Sequence, residues 1–362
     1  MERKYNITIL GLTITSSRGN GHATTYRGLV KALKERGHSV TFLERNTPWN
    51  KENRDLQNPE YCRVLFYDSL EELKDSYTEI VREADLTMVG SYVPEGAPIG
   101  EWVTANAERS AFYDIDTPVT LQKLKNQDYE YLHPSLIRKY NAYLSFTGGK
   151  TLRYIEDHYS SPMARPLYCS FDPAVYYQET EEKTYDMGYL GTYSDDRQPA
   201  LKKLLIEPAA QLTQMKFAVA GPQYPENIKW GNNVRRIEHL SPDKHRGFYN
   251  SQRFTLNVTR QAMIQAGYSP SVRLFEAAAC ATPIISDYWD GIDIFFKPNK
   301  EVLIARSGFD IVKYLRMNEE KRILLGKAAQ EKVLSFHTGS HRAQELEGYI
   351  EILRKQKLKA LL

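Results

Sequence analysis

One plan written twice along the chain constrains its fold most: a β-rich apolar run, a polar loop that bears glycine, and a segment with apolar residues at helical spacing. "YNITILGLTI" runs into "TSSRGNGHATT" and then into "YRGLVKALKERGHSV", with the strand-like "SVTFLER" after it. That order marks a β-loop-α-β unit. Further strand candidates at "RVLFYD", "DLTMVGSYV", "SAFYDID" and "AYLSFTGG" are separated by helical stretches such as "SLEELKDSYTEIVREA". The plan restarts at "MGYLGTYSDDRQPALKKLLIEPA", with strands expected at "KFAVAGP", "RFTLNV" and "TPIISD". Alternation of this kind predicts doubly wound parallel sheets with helices on both faces.

A length of 362 residues suits two such domains. Between the halves, "PLYCSFDPAVYYQETEEKTYD" has two prolines, a charge run and little periodicity, and reads as a connection. The expected organisation is an N-terminal Rossmann-like domain over 1–167 and a C-terminal one over 168–337. An amphipathic helix over 338–362 is expected to pack across both. Two open α/β domains in tandem would face each other across a cleft with the carboxyl ends of their strands, where ligands bind. The loops that follow strands are therefore the ones to read for chemistry.

Composition narrows the partners. Hydrophobic residues make up 41% and charged residues 26%, as in a folded globular protein. With 48 basic and 45 acidic residues the formal net charge is +3, too balanced for general affinity to nucleic acid. Cys62, Cys169 and Cys280 show no metal-ligand or redox spacing, which points to a reducing compartment and no structural zinc. No run approaches the ~20 apolar residues of a membrane span, and "MERKYNITIL" lacks the apolar stretch of a signal peptide, so a cytoplasmic location is expected. The basic, amphipathic "ILRKQKLKALL" allows weak contact with an anionic membrane surface, although a packed helix explains it as well. Oligomeric state is not legible.

In the first half, Gly19, Asn20 and Gly21 of "SSRGNGHA" permit a tight turn and close approach of a ligand to a helix N-terminus. The spacing is neither the dinucleotide fingerprint nor a P-loop. His22 either serves as a general base near neutral pH or caps the helix. In "AFYDIDTPVT", Asp114 and Asp116 would share one side of an extended chain. A metal-binding pair is one reading, but no second acidic cluster accompanies it. Asp116 accepting a substrate hydroxyl, or capping the turn at Thr117 and Pro118, fits better.

In the second half, Arg197 near a helix start would bridge phosphate oxygens or pair with Asp195 or Asp196. In "YSPSVRLFEAAACATPIISDYWDG", Ser269 is expected to cap a helix that Pro270 begins, turning the N–H groups of Ser271, Val272 and Arg273 toward an anion. Arg273 in the first turn opposes the helix dipole, as expected where a negative ligand restores the balance. Glu276, three residues on, shares its face, and an internal Arg273–Glu276 salt bridge is the competing explanation.

At these residues the chain resembles the CgeB-type spore-maturation proteins, a group assigned to glycosyltransferases with the two-Rossmann GT-B fold. "SVRLFEAAACATPIISDYWDGIDIFF" looks like their C-terminal signature, and the resemblance continues through "GNGHATTYRGL", "FYDIDTPVTL", "FTGG" and "YCSFDP". It implies that Glu276 holds the ribose hydroxyls of a nucleotide and that Ser271, Arg273 and Arg197 hold its diphosphate. Many retaining members of the fold carry a second glutamate eight positions earlier, where this chain has Tyr268. "GNGHA" resembles the loop of inverting MurG-type transferases, in which a nearby histidine contacts the acceptor or acts as base. Stereochemistry stays open between the two.

The expected function is transfer of a sugar, of hexosyl type, from a nucleotide-diphosphate sugar to an acceptor hydroxyl, with no metal or other cofactor. His22 or Asp116 would act as base, and Gly19, Asn20, Gly21 and Asp114 would line the acceptor or sugar side. A nucleotide-sugar epimerase of the same architecture and a non-catalytic nucleotide-sugar-binding protein are the alternatives.

Overall fold

A computed structural model describes residues 3–17 and 21–361, with side chains in the second stretch from Ala23 to Gln356. The chain divides into two units, Met1–Ser170 together with Gly339–Leu362, and Phe171–Thr338. Strands of the first unit are β1 (Asn6–Gly11), β2 (Ser39–Arg45), β3 (Arg63–Tyr67), β4 (Leu86–Gly90), β5 (Ser110–Asp114), β6 (Ala142–Ser145) and β7 (Ala164–Pro166). Those of the second are β8 (Tyr185–Leu190), β9 (Phe217–Ala220), β10 (Val234–Ile237), β11 (Gln252–Asn257), β12 (Ile284–Ser286) and β13 (Leu303–Ile304).

Both sheets are parallel and doubly wound. The first runs β3-β2-β1-β4-β5-β6-β7 and the second β10-β9-β8-β11-β12-β13. Register follows from burial: Ile7 lies opposite Val40 on one side and Leu86 on the other, so three apolar side chains meet on one face. Central strands are covered on both faces, which is why β4 and β5 are buried at every residue and read as continuous apolar runs. In the first sheet Ile7, Ile9, Met88 and Tyr113 face one core layer, and Leu10, Val89, Phe112 and Tyr143 the other. In the second, Met187, Tyr189, Val219 and Phe254 pack on one face, and Tyr185, Ala218, Ala220 and Phe248 on the other.

The helix Gly339–Leu361 packs on the first helix, Gly21–Glu35. Its Ala343, Leu346 and Ile350 complete the core layer of Leu29 and Leu33. Gly339 lies so near that an added Cβ would stand 2.6 Å from the Gly28 carbonyl oxygen. Glu347 accepts from Arg36 Nε at 2.5 Å and stands 2.6 Å from His38 Nε2. Residues 339–362 are thus counted with the first unit. Phe171 and Thr338 pair in a parallel bridge, so the chain enters and leaves the second unit side by side. No helix of the described residues is long and apolar enough to cross a membrane, and all three cysteines are free thiols.

Candidate functional site

Each sheet reverses its winding between two neighbouring strands, β1 and β4 in the first unit and β8 and β11 in the second. Backbone loops leaving those strands diverge to opposite faces, which opens a crevice at the carboxyl ends. The segments after β8, β11 and β12 supply the polar groups of the second unit's crevice.

Arg197 and Arg273 converge there on Tyr189, the penultimate residue of β8. Tyr189 lies 5.5 Å, ring centre to guanidinium carbon, from Arg273. Arg197 donates from Nε to Ser194 Oγ at 2.9 Å and from Nη2 to the Thr192 carbonyl at 2.6 Å. Those bonds leave the carboxylates of Asp195 and Asp196 to Tyr193 and Ser194, so pairing of Arg197 with either aspartate is not the arrangement found. Burial, with the like charges of Arg273 and Arg260, lowers the pKa of the Arg197 guanidinium. Arg260, just after β11, is therefore a third cation of this group, and it was not among the residues expected from sequence.

The helix that follows differs from expectation at its start. It runs Val272–Ala279 with Ser271, not Ser269, at the cap position. Ser271 has extended backbone (φ −82, ψ 140) and its hydroxyl makes no capping bond. Ser271 alone, extended, separates Pro270 from Val272, so the proline stands outside the helix. The N–H of Leu274 bonds the Ser271 carbonyl at 3.1 Å, while those of Val272 and Arg273 precede any helical acceptor and point off the helix end. Among residues expected from sequence, Ser271, Arg273 and Arg197 are brought to one crevice.

Arg273 and Glu276 form no direct ion pair, although the carboxylate's charge bears on the guanidinium. Arg273 Nη1 approaches the Val258 carbonyl at 3.5 Å. Glu276, only 5% exposed, accepts from Tyr249 Oη at 3.0 Å, and burial together with the charge of Glu276 raises the pKa of the nearby Tyr176 phenol. A buried carboxylate without partners would cost several kcal/mol, and the Tyr249 phenol supplies one. At the end of β12, Asp287 accepts from the Thr259 N–H at 2.8 Å and Thr259 Oγ1 at 2.7 Å. Burial raises its pKa against those bonds and the charge of Arg273.

Two glycine turns carry the arginine loop. Gly221, with φ +140, packs against Gly191 so closely that a Cβ would collide with the Gly191 carbonyl. Tyr224 donates to that carbonyl at 3.0 Å, and Arg236 Nη2 to the Gly221 carbonyl at 2.9 Å. Arg236 also stacks on Tyr224, 4.1 Å from its ring centre. Nearby, Tyr268 holds a left-handed backbone with φ +49, and its N–H donates to the Asp290 carbonyl at 2.6 Å.

The first unit's crown is built from the segments after β1, β4 and β5. Glu44, fully buried, accepts from Ile14 N at 2.7 Å, Thr15 N at 3.1 Å and Thr15 Oγ1 at 2.6 Å. Asp55 accepts from Ser17 N at 2.8 Å and from both Arg27 Nη atoms at 2.9 Å. The loop after β1 is thus pinned up to residue 17. Of the residues expected beyond it, Gly19 and Asn20 lie outside the described residues. Gly21 and His22 open the first helix, with their side-chain surroundings outside the description.

Asp114 and Asp116 do not share one side of a strand. β5 ends at Asp114, so the alternation stops before Asp116 and the two carboxylates part. Asp114 is fully buried, bonded by Tyr143 Oη and by Thr120 Oγ1 at 2.8 Å. Burial lifts its pKa to about 6. Asp114 is therefore enclosed by side chains of its own unit, Tyr143 and Thr120 among them. Asp116 is half-buried and accepts from Tyr92 Oη at 3.1 Å. It stands at the cap of the helix Thr117–Lys125 without a side-chain capping bond. Among the described residues no group of three or more histidine, cysteine or acidic side chains is placed to hold a metal ion.

Comparison with known proteins adds to this geometry. Residues 197–348 match a family described as glycosyl transferase-like. No curated protein sequence matches. Sucrose-phosphate synthase from Thermosynechococcus elongatus is similar in structure with a TM-score of 0.70 and 14% identity, covering 99% of this chain and 100% of that one. An alpha-glucosyltransferase in complex with UDP-glucose and DNA containing an abasic site has a TM-score of 0.70 and 13% identity, over 96% and 100% of the two chains. Anabaena Alr3699/HepE in complex with UDP and glucose has a TM-score of 0.68 and 11% identity, over 96% and 99%. The chain has the GT-B glycosyltransferase fold.

Proposed function

We propose that the protein is a glycosyltransferase that moves a hexosyl unit from a nucleoside-diphosphate sugar to an acceptor hydroxyl, with the donor bound at the crevice of the second unit. One observation carries this reading. Cationic Arg197, Arg260 and Arg273 gather at the open N-terminus of the helix Val272–Ala279, one turn before the buried carboxylate of Glu276. Mutually repelling guanidinium groups beside a helix N-terminus suit a polyanion, and a buried carboxylate with spare acceptor positions suits the paired hydroxyls of a ribose. The glycosyl transferase-like match spans these residues, and the structural neighbours include proteins in complex with UDP and UDP-glucose.

In the reaction, the acceptor oxygen bonds the anomeric carbon as the bond from that carbon to the diphosphate oxygen breaks. The acceptor proton passes to a base, and the nucleoside diphosphate leaves with the electron pair. Arg197, Arg273, the Ser271 hydroxyl and the N–H groups of Val272 and Arg273 take up the charge developing on the leaving group, so no metal is required. His22 or Asp116 is the base, with Gly19, Asn20 and Gly21 on the acceptor side. Kinship with the CgeB-type proteins and a cytoplasmic setting belong to the same proposal. Near-equal numbers of basic and acidic residues disfavour nucleic acid as acceptor.

The test is release of nucleoside diphosphate from UDP-, GDP-, ADP- and dTDP-hexoses, with and without saccharide acceptors and without added metal. Release that Arg273→Ala lowers by at least tenfold supports transfer from this site. Conversion of the sugar with the diphosphate bond intact would mean an epimerase, and binding without turnover a non-catalytic role.

A further inference from the structure

Two phenols from separate parts of the second unit approach Glu276. Tyr249 lies in the helix Pro242–Asn250 and donates to Oε2 at 3.0 Å. Tyr176 lies in the stretch that opens the unit, and its phenol stands near enough to the same carboxylate for that charge to raise its pKa beyond the effect of burial. Both rings are buried, Tyr249 at 1% and Tyr176 at 2% exposure. The Tyr176 turn is itself fixed, because the N–H groups of Val175 and Tyr176 both bond the Asp172 carbonyl, at 3.0 and 2.9 Å.

An ionised carboxylate offers about four lone-pair positions, and a phenol below its pKa donates one proton. With Tyr249 bonded to Oε2 and Tyr176 close enough to donate as well, the two phenols can take half the acceptor capacity of Glu276, fix the plane of its carboxylate and leave two positions. Two is the number of adjacent hydroxyls on a ribose. We propose that Tyr176 and Tyr249 are specificity-determining residues that orient Glu276 so that the site selects ribonucleotides over deoxyribonucleotides. This inference rests on the donor-site reading above. Neither tyrosine touches the ligand; both are positioning residues that act through the glutamate.

A role confined to packing would alter affinity for ribo and deoxy ligands alike, whereas loss of orientation alters their ratio. The experiment is calorimetric titration of the full-length protein with UDP, GDP, CDP and ADP, then with the 2′-deoxy form of whichever binds best. It is repeated on Tyr176→Phe, Tyr249→Phe and Glu276→Ala. The wild type should prefer the ribose form by at least about tenfold, as one hydrogen bond to a charged group implies. Each phenylalanine variant should reduce that preference to within about threefold, and Glu276→Ala should abolish it. Two separate phenylalanine variants keep the test open should either one fail to fold. An unchanged ratio in a variant that still binds would overturn the inference and leave the donor site standing, as would a wild type that binds both forms equally. No binding of any of the four nucleotides would instead overturn the donor-site reading.

Discussion

Arg273 faces Tyr189 across 5.5 Å, ring centre to guanidinium carbon, and its charge also bears on Arg197, whose pKa is lowered by burial and by this neighbour. A folded protein holds like charges together at a cost unless something else requires them. Replacing Arg197 with glutamine should therefore leave the melting temperature of the unliganded protein unchanged or raise it by about 1–3 °C. The same variant should lose most of the stabilisation that a bound nucleoside diphosphate confers. Differential scanning fluorimetry with and without ligand checks both halves. A fall of several degrees without ligand would show that Arg197 serves the fold.

The loop after β1 hangs on Glu44, which satisfies two N–H groups and one hydroxyl at 2.6 to 3.1 Å. Glutamine keeps the shape but turns one acceptor oxygen into a donor that faces donors. Glu44→Gln should cost about 1–3 kcal/mol in urea unfolding, with the slope of the transition unchanged.

Asp114 makes stability depend on pH. Its folded pKa, about 6, lies above the ordinary aspartate value of 3.8, because burial disfavours the charge and Asp116 adds repulsion. The folded state thus binds more protons than the unfolded one between these values. The stabilisation is fully present below about pH 4 and is lost as pH rises through 6, amounting to roughly 3 kcal/mol. Asp114→Asn does not titrate, so its stability relative to wild type should rise between pH 4.5 and 7.5. Equal pH profiles for the two proteins, read from urea midpoints, would remove Asp114 as the cause.

Gly221 has no room for a side chain, since its φ of +140 disfavours one and a Cβ would meet the Gly191 carbonyl. Gly221→Ala should destabilise by more than about 2 kcal/mol. It should also weaken nucleotide binding, because Gly191 leads the loop that carries Arg197. Melting temperature and calorimetric affinity, measured together, test the coupling.

Central strands were legible in the sequence because both their faces are covered, which makes runs such as "LTMVG" and "SAFYD" apolar without interruption. The strands that escaped are β7, β10 and β13, and all three lie at or beside sheet edges. Val234-Arg-Arg-Ile and Ala164-Arg-Pro are short and half polar, since one side meets solvent instead of a strand. At the site, Arg197, Ser271, Arg273 and Glu276 were readable as exceptions to local rules. The helix start moved by two residues because Ser269 and Ser271 flank Pro270 with equal capping propensity. Tyr176, Tyr249 and Thr259 left no mark, as one tyrosine among 25 says nothing of its partner. Arg260 and Asp287 had a signal, each being a charged residue within three positions of a strand end. Asp114 and Asp116 were expected on one side because alternation was extended past Asp114, the last paired residue of β5.

The measurement that bears most directly on a donor site in the second unit is calorimetric titration of the purified protein with UDP, GDP, CDP, ADP and dTDP in the presence of a metal chelator. Wild type should bind one of them with a dissociation constant in the micromolar range. Arg273→Ala and Glu276→Ala, folded by melting temperature, should each weaken that binding by about 10–100-fold. Equal affinity of wild type and both variants for the nucleotide that binds would contradict the account.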